Sequence, residues 1–331
     1  MKTKVKALLA STATATLAAT LHAPVMAADV PELRVGWTIP AEESKYLMMK
    51  RPELFPDLGK EYTIKWTQFQ GTSPMVQAMR ADVLDCATMA PMSMAQGYIE
   101  SGLKPYIVAQ HAAEEPGSFS VYWAVKEDSP IKSAQDLKGK VIGTNAYGSG
   151  VYYHMLLWLK ENGLDPEKDV KIVETGFPPS ADAIRSGRVD AGPMVPPFTV
   201  LNEEKGDLRP LFKLLDVQNP NVQIFEGCSQ AYTDANPEVV KAYVKDLQNA
   251  MAKLKENPAL AAEVTSEITR APAAVFSKYL LTPKDFHREP NMQPNIDAIQ
   301  ETFNLYYDAG FLKESLDIKE FVREDIIAPV K

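Results

Sequence analysis

The chain has 331 residues, with 43 acidic against 35 basic side chains and a formal net charge of -8. An acidic balance of this kind excludes nucleic acid and anionic membrane as expected partners, yet a local site can still hold an anion. The length fits two lobes of roughly 100–200 residues each.

Lys2, Lys4 and Lys6 precede a small apolar run from Ala7 to Ala19, and Val25-Met26-Ala27 matches a small-residue cleavage site before Ala28. Residues 1–27 therefore read as a secretory signal peptide. The run is too short to span a membrane. No cysteine follows it to carry a lipid, and no later segment is apolar enough to span. The expectation is a soluble protein exported to a bacterial periplasm. Removal of the three lysines takes its net charge from -8 to -11.

From Leu33 onward short strands alternate with helices, which predicts two mostly parallel sheets flanked by helices. LRVGW, YTIKWTQF, LDCATMA and PYIVAQ read as strands, with helices over Ser44–Lys50, Ser73–Arg80 and Met92–Ser101 between them. FSVYWAVKED (Phe119–Asp128) reads as a crossover into a second lobe. That lobe holds the strands Val141–Thr144, VKIVETG, VDAGPM and RPLFKLL, with helices over Val151–Asn162, Ser180–Ser186 and after Pro197. Gln223–Tyr232 reads as the return crossover. From Asn236 the chain is mainly helical, with a proline-containing loop over Thr282–Pro294 and last helices over Ile296–Ala309 and Ile318–Ile327. The expected division is residues 28–118 with 226–331 as lobe I and 119–225 as lobe II.

Within lobe II the loop Asn145–Gly150 leads from a strand into a helix. Ser149 is placed to cap that helix, and the first amides of a helix form an anion site without any lysine or arginine. Ser73-Pro74 marks a second helix tip of the same kind. Ser73, Ser149 and Gly150 are the candidate head-group contacts. Met89, Met92, Tyr147 and Met194 are candidates for an apolar lining, which would fit a solute with an alkyl or aromatic body. Arg185 and Arg188 read as structural, and Gln110 and His111 as hinge or surface residues. The four histidines and two cysteines show no metal-ligand spacing, and no cofactor motif is present. Cys86 lies in a strand and reads as a small core residue rather than as half of a bond to Cys228.

Several stretches then resemble the periplasmic solute-binding proteins of nitrate, sulfonate and taurine ABC importers, a group related to pyrimidine-precursor synthases. They are Phe69–Gln110, Ser129–Leu164 (with KVIGTNAYGSG), Ser180–Phe198 (SADAIRSGRVDAGPMVPPF), and NPEVVKAYVKDL with DAGFL. The resemblance implies a two-lobed periplasmic-binding-protein fold of type II, with the lobes joined by two crossover strands. It implies a monomer that closes on a small anionic solute and delivers it to a permease and its ATPase. It places the ligand against Trp37 and Thr38, against Gly71, Thr72 and Ser73, against Met89, Ala90 and Met92, and against Tyr147, Ser149, Gly150 and Val151. Where relatives often carry a tryptophan after VDA, this chain has Pro193-Met194-Val195.

A sulfonate or carboxylate with an alkyl or aromatic body is the expected solute. A neutral pyrimidine-like or other nitrogen compound is the alternative, as is a sensory receptor role. An enzyme is not expected: the synthases' cysteine-rich motif, a serine–histidine–acid set and a carboxylate pair are all missing.

Overall fold

Strand and helix alternate from Glu32 onward in the computed structural model, which describes residues 30–203 and 205–327. The expected signal peptide lies outside the described residues. The first lobe opens with β1 (Glu32–Trp37), α1 (Glu43–Lys50), β2 (Thr63–Gln68), α2 (Thr72–Arg80), β3 (Cys86–Met89), α3 (Pro91–Ser101) and β4 (Pro105–Glu114). The second comprises β5 (Tyr122–Lys126), β6 (Val141–Thr144), α4 (Gly150–Glu161), β7 (Lys171–Glu174), α5 (Ser180–Arg185), β8 (Gly192–Met194), α6 (Phe198–Glu203) and β9 (Leu208–Lys213). The chain returns through β10 (Asn221–Ser229), followed by α7 (Gln230–Ala235), α8 (Pro237–Glu256), α9 (Pro258–Thr269), α10 (Ala273–Phe276), α11 (Ile296–Asp308) and α12 (Glu324–Ile327).

The first sheet has the order β2-β1-β3-β10-β4. β1, β2 and β3 are parallel, and β10 lies antiparallel between β3 and β4. Because the chain passes from β1 to β2 on one side and to β3 on the other, β1 sits at a topological switch point. Loops leaving such a point frame a crevice at the carboxyl ends of the strands. Helices cover both faces. Tyr46 and Leu47 of α1 pack with Tyr243, Leu247 and Met251 of α8 on one side. Met75 and Met79 of α2 pack with Met92, Phe303 and Tyr306 on the other.

In the second lobe β6 and β7 pair in parallel, a bridge from Ile142 to Ala191 ties β6 beside β8, and β5 lies antiparallel between β8 and β9. Its core is built on stacked rings, with Phe212 between Trp123 (4.8 Å) and Trp158 (3.8 Å).

β4 and β10 carry the chain out of the first sheet and back. They end side by side, with Glu114 opposite Asn221. The two links, 115–121 and 214–220, then run together, and the Leu214 amide donates to the Val121 carbonyl at 2.9 Å. Both passages fall a few residues before the stretches read as crossovers. An aromatic, branched run looks the same whether it links lobes or fills a sheet, and here Tyr122–Lys126 and Asn221–Ser229 fill sheets. The expected last helix is split into a turn over Ile318–Phe321 and the short α12.

Cys86 and Cys228 form a disulfide, which corrects the expectation of a lone core cysteine. They are register partners across β3 and β10, with Cα atoms 4.0 Å apart. The pairing follows from the antiparallel insertion of β10, which no local pattern announces.

Candidate functional site

A cavity of about 520 Å³ lies between the lobes. The first lobe contributes Thr38–Ala41 after β1, Gln70–Pro74 after β2 and Ala90 after β3. The second contributes Asn145–Tyr147, Ser149–Val151, Phe177 and Val195, while Ala112, Val121, Gln223, Ile224 and Phe286 close the side by the links. Every one of these side chains is uncharged. A larger hollow of about 750 Å³ lies behind the links, rimmed by Glu203, Lys213, Asp216 and Lys284. Among the described residues no helix of eight residues or more begins at it, so it lacks the donor arrangement described next.

Two helices of useful length begin at the cavity. α2 starts after Gly71, which offers no capping side chain, so the amides of Thr72 and Ser73 open the helix uncapped. The hydroxyls of Thr72 and Ser73 have no partner among the described residues. α4 starts after Ser149, whose Oγ accepts the Tyr152 amide at 3.1 Å and donates to Asn145 Oδ1 at 2.8 Å. The Ser149 hydroxyl is thus engaged as a cap, and the amides of Gly150 and Val151 are the open donors. Uncapped amides at the positive end of a helix dipole attract an anion. α3 also begins nearby, but its Ser93 hydroxyl bonds back to Ala90, and Pro91 has no amide hydrogen.

The wall after β1 is held from beneath. Glu42 Oε1 accepts the Thr38 amide at 3.1 Å, and the Tyr46 hydroxyl donates to the Thr38 carbonyl at 2.8 Å. Burial, only partly offset by Lys45 and His111, pushes the Glu42 carboxyl above its ordinary range. Lys45 Nζ lies 2.6 Å from Glu226 and also donates to the Gly36 carbonyl and to Thr88. Burial pushes the Glu226 carboxyl up, but Lys45 and His111 outweigh it and hold that carboxyl low. A buried charge is tolerable only when paired and hydrogen-bonded in this way.

Nine of the thirteen residues named from the sequence line the cavity: Thr38, Gly71, Thr72, Ser73, Ala90, Tyr147, Ser149, Gly150 and Val151. Trp37, Met89, Met92 and Met194 do not. Trp37 packs edge-on against Tyr46 at 6.0 Å. Met89 and Met92 are fully buried with Met75 and Phe303, and Met89 lies over the space that a side chain at Gly227 would need. Met194 packs against Ala181 and Ile184 of α5. His111 and Gln110 are buried rather than at the surface. Arg185 is engaged by Asp207, Asp182 and Asn202, away from the cavity. Ile39–Ala41, Gln70, Asn145, Phe177, Val195, Gln223, Ile224 and Phe286 also line the cavity, beyond the residues expected to touch the ligand. Asn145 begins the very loop that the reading singled out, whereas Phe286 comes from a distant loop without a signal.

Residues 37–271 match the family described as ABC transporter, phosphonate, periplasmic substrate-binding protein. An aliphatic sulfonates-binding protein by name, from Bacillus subtilis, is 24% identical over 304 residues, covering 90% of this chain and 88% of the relative. Its namesake in Escherichia coli is also 24% identical, covering 89% and 90%. Among solved structures, the periplasmic aliphatic sulphonate-binding protein of Escherichia coli superposes with a TM-score of 0.72 at 20% identity, covering 91% of this chain and 93% of that one. The periplasmic nitrate-binding protein of Synechocystis superposes with a TM-score of 0.67 at 14% identity, covering 90% and 87%. These structures share the two-lobed type II fold.

Proposed function

The chain belongs to the ABC-transporter periplasmic substrate-binding family, a family of solute receptors rather than enzymes, and from that premise we propose that it captures a small organic anion between its lobes. The observation that carries this reading is the pair of helix starts, α2 and α4, opening on one uncharged cavity. The amides of Thr72, Ser73, Gly150 and Val151 and the hydroxyls of Thr72 and Ser73 are the head-group donors. Ile39, Ala41, Phe177, Val195, Ile224 and Phe286 receive an apolar body. A volume of about 520 Å³ suits an alkyl or aromatic sulfonate or carboxylate, since ligand pockets run roughly 300–1,000 Å³. Nitrate would leave most of it unfilled.

Capture proceeds by closure of the second lobe, from β5 to β9, onto the first about the paired links 115–121 and 214–220. A ligand that touches both lobes favours the closed form by its extra affinity for it. The loaded monomer then presents its solute to the membrane permease and ATPase of the importer, on the periplasmic side, after loss of residues 1–27.

A neutral, pyrimidine-like solute is the second reading. It is favoured by the carboxamides of Gln70, Asn145 and Gln223 on the same lining, which together offer donors and acceptors to a ring. A thermal-shift screen of the mature protein from Ala28 separates the two. The ligands are alkanesulfonates, benzenesulfonate, taurine, phthalates, benzoate, nitrate and uracil. A ligand that binds only the folded state raises its stability. A shift with an acid is expected; a shift with uracil alone would replace the anion by the neutral ring.

A further inference from the structure

The segment Thr282–Pro294, expected from the sequence to be a proline-containing loop, runs as a strap beside β4. His287 and Ala113 exchange backbone hydrogen bonds at 2.8 and 3.0 Å, and the Gln110 amide donates to the Met292 carbonyl at 2.7 Å. The strap also reaches the link between the lobes, where the Phe119 amide donates to the Asp285 carbonyl at 2.8 Å. It places Phe286 on the cavity, edge-on to Phe119 at 5.3 Å.

Two residues further on, Arg288 is 5% exposed and points under the cavity wall. Its Nη1 donates to the Ala41 carbonyl at 2.8 Å and to the His111 carbonyl at 3.3 Å. The same nitrogen lies 2.6 Å from Glu43 Oε2, and Asp285 holds the other side of the guanidinium through Nε and Nη2 at 3.3 Å each. Ala41 itself has φ +79°, a left-handed conformation that alanine seldom adopts unless its surroundings impose it. The planar fork of arginine serves two carbonyls and two carboxylates at once, which a lysine does not reproduce.

We propose that Arg288 is a positioning residue of the cavity. From the strap it holds the Ala41 carbonyl, and with it the wall Thr38–Ala41, in the shape that receives a ligand. Its effect on the wall stands on the geometry alone. Its effect on affinity rests on the reading of the cavity as the ligand site.

The test measures hydrogen exchange and binding on the purified exported protein and its variants. Arg288→Met leaves Glu43 and Asp285 buried and unpaired, so the charge-neutral triple variant E43Q/D285N/R288M accompanies it. In the folded triple variant, exchange of peptides covering residues 37–42 is expected to speed up, while peptides covering β6 and α4 stay as in the wild type. Unchanged exchange over 37–42 would overturn the proposal. Affinity for 1-hexanesulfonate, the probe used, is expected to fall about tenfold, with partial rescue by Arg288→Lys relative to Arg288→Met. Wild-type affinity in the triple variant would overturn the positioning role even if the wall exchanges faster. If the wild-type protein itself ignores hexanesulfonate and every other acid, the anion reading fails, and the exchange result alone decides the role of Arg288.

Discussion

Ser149 Oγ donates to Asn145 Oδ1 across the loop that leads into α4, while the same oxygen accepts the amide of Tyr152. The serine thus fastens the loop to the helix and leaves the Gly150 and Val151 amides open. Two substitutions separate capping from direct contact. Ser149→Ala is expected to cost about 1 kcal/mol of unfolding free energy and to weaken ligand binding, whereas glycine at an N-cap costs only a few tenths. Ser149→Gly is therefore expected to keep most of the affinity in a calorimetric titration. Equal losses in both variants would show that the hydroxyl itself touches the ligand.

Thr72 and Ser73 are the converse case. Their hydroxyls stand at the mouth of α2 without partners among the described residues. Hydrogen bonds to a charged group are worth roughly 1.5–3 kcal/mol each. The double variant T72A/S73A is expected to weaken hexanesulfonate binding at least about tenfold while moving urea-unfolding stability by no more than about 0.5 kcal/mol. A loss of stability with unchanged affinity would assign these hydroxyls to the fold instead.

Much of the site was legible in the sequence, and three of the four misplaced lining residues share one cause. Trp37, Met89 and Met194 each end a strand and turn into a core, and the next residue in each case, Thr38, Ala90 or Val195, reaches the cavity. Side chains on a strand alternate between faces, so a one-residue uncertainty exchanges lining for core. The strand and helix around the Asn145–Gly150 loop were readable because Gly, Ser and the apolar period all agree there. The Cys86–Cys228 bond and the reach of Phe286 and Arg288 were not. They depend on which distant strand or strap lies alongside β3 or β4, and that is settled by the whole sheet order rather than by any local pattern.

The disulfide closes a loop with a sequence separation of 142 residues, and both cysteines are fully buried. Bonds that close long loops typically contribute about 2–5 kcal/mol. The variant C86S/C228S is expected to lose that much in urea unfolding. The native protein is expected to show no free thiol to an alkylating reagent, even after denaturation, unless first reduced. Two alkylated cysteines in the unreduced, denatured protein would contradict the bond.

Glu114, opposite Asn221 where the links leave the first sheet, is fully buried. Burial pushes its carboxyl up to about 8, against the opposing pull of its hydrogen bonds from Ser120 and Val121 and of Lys213. A carboxyl raised in the folded state keeps its proton while the unfolded chain releases one. Stability contributed by Glu114 is therefore full below about pH 4.5 and is lost as pH rises toward 8. Glu114→Gln is expected to flatten this fall, so that the difference in unfolding free energy between variant and wild type grows in favour of the variant from pH 5 to 8. A constant difference across that range would show that Glu114 does not titrate there.

A calorimetric titration of the mature protein with 1-hexanesulfonate beside hexanamide, which keeps the chain but lacks the charge, decides whether the cavity takes an anion. Binding of the sulfonate with little or none of the amide is the expected result, because the open amides of α2 and α4 favour a negative head group. Equal binding of both, or binding of the amide alone, would contradict an anion site at these helix starts.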